Sequence, residues 1–199
     1  MILSNTSILE ALDDGRLRIT PEPSPRPGTE DSPFGTTSVD LTLSSNILVP
    51  SSDLAIQIDL RLGDVRRTIQ RLSIPHHADS HVGWLLARNV FALGQTVEEI
   101  WLPVPSEFGA AATGKPGLAA RVEGKSSLAR FGLLVHFTAP TIHAGFRGPI
   151  ALEIMNLGPA PIVLYAGMQI CQLIIEQVNG VPAPRQSQFH GQTSPSGLR

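Results

Sequence analysis

The sequence predicts an all-β protein, a barrel or distorted jelly roll with only short helices. Two observations carry that expectation. After residue 38, short β-type runs follow one another at 54–60, 83–93, 97–104, 117–123, 132–142, 148–157, 161–165 and 168–178, with turn residues between them. The chain also carries 17 prolines and 18 glycines, many of them between those runs, where they end strands and disfavour long helices. With 199 residues the chain has the length of one domain with a sizeable core, and 1–199 is read as a single domain.

Residues 4–14 read as a short helix. Ser4 or Asn5 caps it, Ile8, Leu9 and Leu12 form its apolar stripe, and Gly15 ends it. From Thr20 to Thr37 five prolines and two glycines exclude a helix or central strand, so 20–37 is a long loop, either a surface linker or a lid. The β-runs follow. Within them Gly109 to Gly117 reads as an inserted small-residue loop. Ser126-Ser127-Leu128-Ala129-Arg130, with Gly132 as exit, reads as one or two helical turns with a serine as cap. There is no internal repeat.

Bulk properties narrow the function. A net charge of −2 and a pI near 6.3 supply no basic field for a polynucleotide. The single Cys171 excludes an intramolecular disulfide and a cysteine-cluster zinc site, and the His-x-Glu…Pro-Cys-x-x-Cys signature of zinc deaminases is absent. No run of about 18 apolar residues offers a membrane span. The acidic N-terminal stretch (Glu10, Asp13, Asp14) is unlike a signal peptide, so the expectation is a soluble, cytoplasmic protein without a membrane partner.

Residues 125–156 concentrate the chemistry. Lys125 beside two hydroxyls at a helix start is a phosphate cradle, although a Ser-Ser pair also serves as an ordinary cap. Arg130 lies four residues beyond Ser126, so on a helix both project from one face, and a structural salt bridge is one reading of it. Glu153 stands alone in Ile150-Ala151-Leu152-Glu153-Ile154-Met155, where alternation offers no polar face. A carboxylate buried there is paired or has a raised pKa, which suits a general base; a structural ion pair or edge position is the other reading. His136 reads as a structural hydrogen bonder, Trp84 and Trp101 as packing residues, and Cys171 as a small buried side chain.

The signature Ala120-Arg121-Val122-Glu123-Gly124-Lys125-Ser126-Ser127-Leu128-Ala129-Arg130, with His136-Phe137-Thr138-Ala139, Ile150-Ala151-Leu152-Glu153 and Tyr165-Ala166-Gly167-Met168 in order, resembles the dCTP deaminases, relatives of the trimeric dUTPases. The resemblance extends to Ser38–Leu43 as a first barrel strand, Phe91–Glu98 with Leu102-Pro103 ahead of the site, and Gly191-Gln192 in the tail. It implies a dUTPase-like β-clip with a short N-terminal helix and one short helix at the active site. It also implies a flexible closing tail at 180–199, and a homotrimer with interfacial sites.

By that resemblance, Glu153 activates the water that attacks C4 of cytosine. Ser126 and the backbone carbonyl of Ala139 position that water, and Arg130 assists electrostatically. Lys125, Ser127, Thr138, Ile142, His143 and Gln192 would contact the nucleotide. Magnesium would arrive on the triphosphate, with no zinc. The implied activity is deamination of dCTP to dUTP and ammonia, feeding dUMP and thymidylate synthesis. The alternatives are a dUTPase, a bifunctional enzyme that also releases pyrophosphate, and a non-catalytic nucleotide-binding regulator.

Three departures from the family pattern stand out. His143 replaces the usual Asp of Ile-Asp-x-Gly-Phe, which counts against diphosphohydrolase chemistry and alters sugar recognition. The tail lacks the Pro-Tyr segment in Ala183–Ser187 and has Gln188-Phe189 before Gly-Gln, leaving Arg185 as a substitute charge. Ser44-Ser45 follow Leu43 where a Gly is usual.

Overall fold

The computed structural model describes residues 1–51, 58, 59, 61, 63, 65–182 and 191–198. In chain order its elements are α1 (Asn5–Asp13), β1 (Arg18–Thr20), β2 (Val39–Thr42), β3 (Asn46–Pro50), α2 (Val65–Leu72), β4 (Ser73–His77), β5 (Trp84–Leu86) and β6 (Phe91–Trp101). They continue with β7 (Leu118–Gly124), α3 (Ser126–Ala129), β8 (Leu133–Val135), β9 (Thr141–Ile142), β10 (Arg147–Asn156), β11 (Ile162–Leu164) and β12 (Gln169–Gln177).

Helix α1 forms as its sequence dictates. Ser4 is the N-cap and its hydroxyl accepts the Ser7 N–H, and Gly15 beyond the last turn takes a φ of +82°. Ile8 and Ala11 are fully buried, with Leu9 and Leu12 packed against the core. From Pro21 to Ser38 the chain has neither helix nor strand, as its prolines require, although Phe34 drops into the core and bridges Val39.

Two sheets face each other. One runs β4-β3-β6-β10-β8 with β1 also on β6; the other runs β2-β12-β7-β9, and a β11-β5 ribbon stands apart. Their inner faces supply the core: Leu41, Val122, Leu173 and Ile175 from one sheet, Ile47, Ile100, Leu152 and Ile154 from the other. Glu98 joins the sheets, since its carboxylate, 5 % exposed, accepts the Thr42 N–H at 2.9 Å and the Thr42 hydroxyl at 2.8 Å.

The expected runs at 117–123, 148–157, 161–165 and 168–178 are β7, β10, β11 and β12. Two runs differ. The stretch 83–93 breaks after β5 because Asn89 turns the chain at a φ of +60°, and 91–101 continues as one strand through Gly94. Gly94, inside that strand, is a close approach: a Cβ there would lie 3.0 Å from both Ile154 and Leu43 side chains. What is interrupted is the pairing with β10 at 96–98, where the register shifts between Pro149 and Ala151 and the Thr96 hydroxyl accepts the Ile150 N–H at 2.9 Å. The run 132–142 splits into β8 and β9 around His136, whose φ is +57°. Most of the run 54–60 lies outside the described residues. Strands β1, β3 and β4 and helix α2 carried no signal that periodicity picked out.

Candidate active site

Strand β10 presents Glu153, and the alternation along it decides how. Ile150, Leu152 and Ile154 point into the core; Ala151, Glu153 and Met155 point to the opposite face and are half-buried. The expectation of a carboxylate walled in by hydrocarbon is therefore corrected. The flanking aliphatic residues belong to the other side of the strand. The outer face around Glu153 is nonetheless apolar, with Leu93 and Phe91 of β6 registered opposite Glu153 and Met155, and Leu134 of β8 opposite Met155.

The turn after β8 fastens this carboxylate. Glu153 Oε2 accepts the Thr138 hydroxyl at 2.6 Å and the Thr138 N–H at 3.3 Å, leaving Oε1 without a protein donor among the described residues. The His136 N–H donates to the Glu153 carbonyl at 2.7 Å, so turn and strand are tied twice. His136 acts as the hydrogen bonder expected: its Nε2 donates to the Ala139 carbonyl at 2.7 Å, while Nδ1 is buried and has no partner among the described residues. The Ala139 carbonyl keeps one lone pair for a water. Phe137, half exposed, meets Phe91 edge to face with centroids 6.5 Å apart.

Helix α3 sits at the end of β7, next to β8: a Cβ on Gly124 would lie 3.5 Å from the Val135 carbonyl, and Val135 is registered with Ile154. A serine was expected as cap. The cap is instead Lys125, in extended conformation and without a side-chain cap bond, so both serines fall inside the first turn and remain exposed. Arg130 closes the helix as C-cap, its N–H 3.4 Å from the Ser126 carbonyl. The Arg130 guanidinium and the Ser126 and Ser127 hydroxyls make no side-chain bond among the described residues. Gly132 supplies the exit at a φ of +84°.

Lys125 is not free. Its ammonium is paired with Asp40 of β2 and also donates to Gln169 Oε1 at 3.0 Å, with about a fifth of either charged side chain exposed. Sequence reasoning missed Asp40 because 85 residues separate the partners. The only available signal was a lone carboxylate in the apolar alternation Val39-Asp40-Leu41.

The remaining expected residues lie further out. Ile142 is buried on β9 opposite Ala120, and His143 is exposed in the turn to β10, its carbonyl accepting the Phe146 N–H. Gln192 is 5 % exposed and donates to the Pro149 carbonyl at 2.8 Å, while the Gly191 N–H bonds the Arg147 carbonyl. Residues 191–198 therefore pack on their own chain at the start of β10, about 13 Å along the strand from Glu153 at the usual rise per residue. Ala183–Ser187, Gln188 and Phe189 lie outside the described residues. Thr138, Glu153, His136 and Ala139 are brought together, whereas no side-chain bond among the described residues joins Ser126, Ser127 or Arg130 of α3 to them. Among the described residues no group of three or more His, Cys, Asp or Glu is arranged to hold a metal ion, and no helix is long and apolar enough to cross a membrane.

The fold is shared with a solved structure of 2'-deoxycytidine 5'-triphosphate deaminase from Agrobacterium tumefaciens, at a TM-score of 0.61 and 19 % identity; the match covers 89 % of this chain and 48 % of that one. The mostly β architecture with few helices is of that class. Residues 2–178 match the family model described as dCTP deaminase-like, and the chain belongs to that family. It is 34 % identical to the dCTP deaminase of Thermomicrobium roseum, over all of this chain and 93 % of that protein. It is 35 % identical to the dUMP-forming dCTP deaminase of Coprothermobacter proteolyticus, over all of this chain and 96 % of that protein.

Proposed function

We propose that this protein deaminates dCTP hydrolytically to dUTP and ammonia without zinc, in the cytoplasm, and so feeds the route to dUMP and thymidylate. The observation that carries the proposal is the half-tethered carboxylate of Glu153: Oε2 is fixed by Thr138, and Oε1 is open beside the turn that presents the Ala139 carbonyl. A general base needs one oxygen held and one available. Glu153 takes a proton from a water positioned by the Ala139 carbonyl and the Ser126 hydroxyl. The resulting hydroxide attacks C4 to give a tetrahedral intermediate. Glu153 then delivers the proton to the amino group, the C4–N bond breaks, and ammonia leaves. Proton transfer of this kind contributes roughly 10²–10⁴-fold, and positioning with preorganised hydrogen bonds supplies the rest.

Lys125, Ser127 and Arg130 give the site its positive and donor character for an anionic nucleotide, whose triphosphate brings magnesium with it as part of the substrate. For a phosphate to engage Lys125, Asp40 must yield the ammonium. The apolar outer face around Glu153 (Phe91, Leu93, Leu134, Met155) supports an assembly in which a second copy covers the site, as in a homotrimer.

A second reading is favoured by the dUMP-forming relatives: the chain also cleaves the triphosphate. His143, where the family carries Asp, opposes it. Incubation with dCTP and magnesium, with ammonia and pyrophosphate measured separately, decides between them. Ammonia alone is the expected result, both products establish the second reading, and neither product overturns both.

A further inference from the structure

At the far end of the long sheet, two guanidinium groups share one indole. Trp101, the last residue of β6, is registered opposite Arg18 of β1 on one side and Arg147 of β10 on the other. The guanidinium carbons lie 4.2 Å and 5.0 Å from the Trp101 ring centroid. Register places all three side chains on one face of the sheet, with the ring half-buried and both arginines exposed. Neither arginine makes an ion pair or a side-chain hydrogen bond to a protein group among the described residues. Glu99, two residues back on the same face and registered with Thr20 and Pro149, pairs with neither.

Two like charges held on one ring repel, and each guanidinium keeps five N–H donors that no described protein acceptor takes up. Both are already gathered over the indole, so part of their side-chain freedom is spent before a ligand arrives. We propose that Arg18, Trp101 and Arg147 form a binding site for an oligophosphate, either inorganic or carried by a nucleotide. The two arginines stand on the strands either side of Trp101, roughly 10 Å apart at the backbone, a span that a chain of two or three phosphoryl groups bridges better than one tetrahedral phosphate. Arg147 precedes Glu153 by six residues, on the order of 20 Å along β10, so within the protomer this site is separate from the candidate active site. It stands whether or not the deaminase reading does.

The chain has two tryptophans, so a Trp84→Phe variant makes Trp101 the sole indole reporter. Inorganic triphosphate and ATP are titrated in parallel while its fluorescence is followed. A saturable change is expected, weakened about tenfold by Arg18→Gln or Arg147→Gln, lost in the double variant, and reduced by added salt. Equal affinities assign the site to the phosphate chain, and tighter ATP binding assigns it to a nucleotide. Lys125→Ala must leave the titration unchanged; if it removes the signal, the response comes from the candidate active site and the proposal fails. A flat titration to millimolar ligand, or a double variant that titrates like its parent, overturns it. Arg→Lys replacements at both positions keep charge while removing the fork, and serve where a Gln variant fails to fold.

Discussion

At the scale of single residues, Glu153 shows how a strand converts an apolar run into a chemical surface. Its neighbours in sequence are aliphatic, yet every second one faces away, so the carboxylate emerges on the outer face with Thr138 on one oxygen. Glu153→Gln keeps the size and the hydrogen bond from Thr138 but removes the base. The expected result is loss of ammonia release by at least about 100-fold with dCTP binding retained; unchanged turnover in a steady-state ammonia assay sinks the assignment. Cys171 illustrates the opposite case. Full burial, with the charges of Glu98 and Asp40 nearby, raises its thiol far above the ordinary value despite the opposing Lys125. The thiol form persists at neutral pH, so iodoacetamide should leave the native protein unlabelled and modify Cys171 only after unfolding, as mass spectrometry will read.

At the scale of elements, α3 is positioned from behind by a contact between two turns. Gly132, which ends the helix, would place a Cβ 2.3 Å from the Gly158 nitrogen, in a backbone conformation that side chains rarely adopt. Gly132→Ala is expected to cost about 2 kcal/mol in chemical denaturation and to lower turnover further by moving Ser126 and Arg130. The end of α1 is held electrostatically. Partial burial of Asp14 alone raises its carboxyl pKa, but hydrogen bonds from Lys115 and from the Arg16 backbone and side chain outweigh this and hold it below the usual carboxylate range. A group lowered in the folded state contributes stability fully above its ordinary value near 3.9, and loses it as pH falls through the folded value. Asp14→Asn should therefore destabilise by about 2 kcal/mol at neutral pH. The difference from the parent should narrow progressively below about pH 4 in thermal melts.

At the scale of the whole molecule, the two sheets leave an apolar outer surface around the candidate site: Phe91, Leu93, Phe137 and Met155 surround Glu153 without being fully buried. Association that covers this face would also exclude water from the carboxylate and strengthen its electrostatics. The proposed trimer predicts a sedimentation coefficient near that of three copies of the 21.3 kDa chain at micromolar concentration. A monomer under assay conditions that still released ammonia would remove the interfacial site from the account.

Much of the candidate site was legible because it is local. The hydroxyl pair, Arg130 and the exit at Gly132 lie within seven residues, and Glu153 announces itself as a lone acid in an apolar strand. Strand periodicity and Pro/Gly punctuation likewise determined the mainly β class, since turns and alternation depend on near neighbours. What only the tertiary structure decided are the meetings across long sequence distances. Examples are Lys125 with Asp40, Glu98 with Thr42, and the placement of two arginines against Trp101. Register and sheet order set those partners, and no local pattern encodes which strand lies beside which, because pairing is fixed by the collective burial of both inner faces.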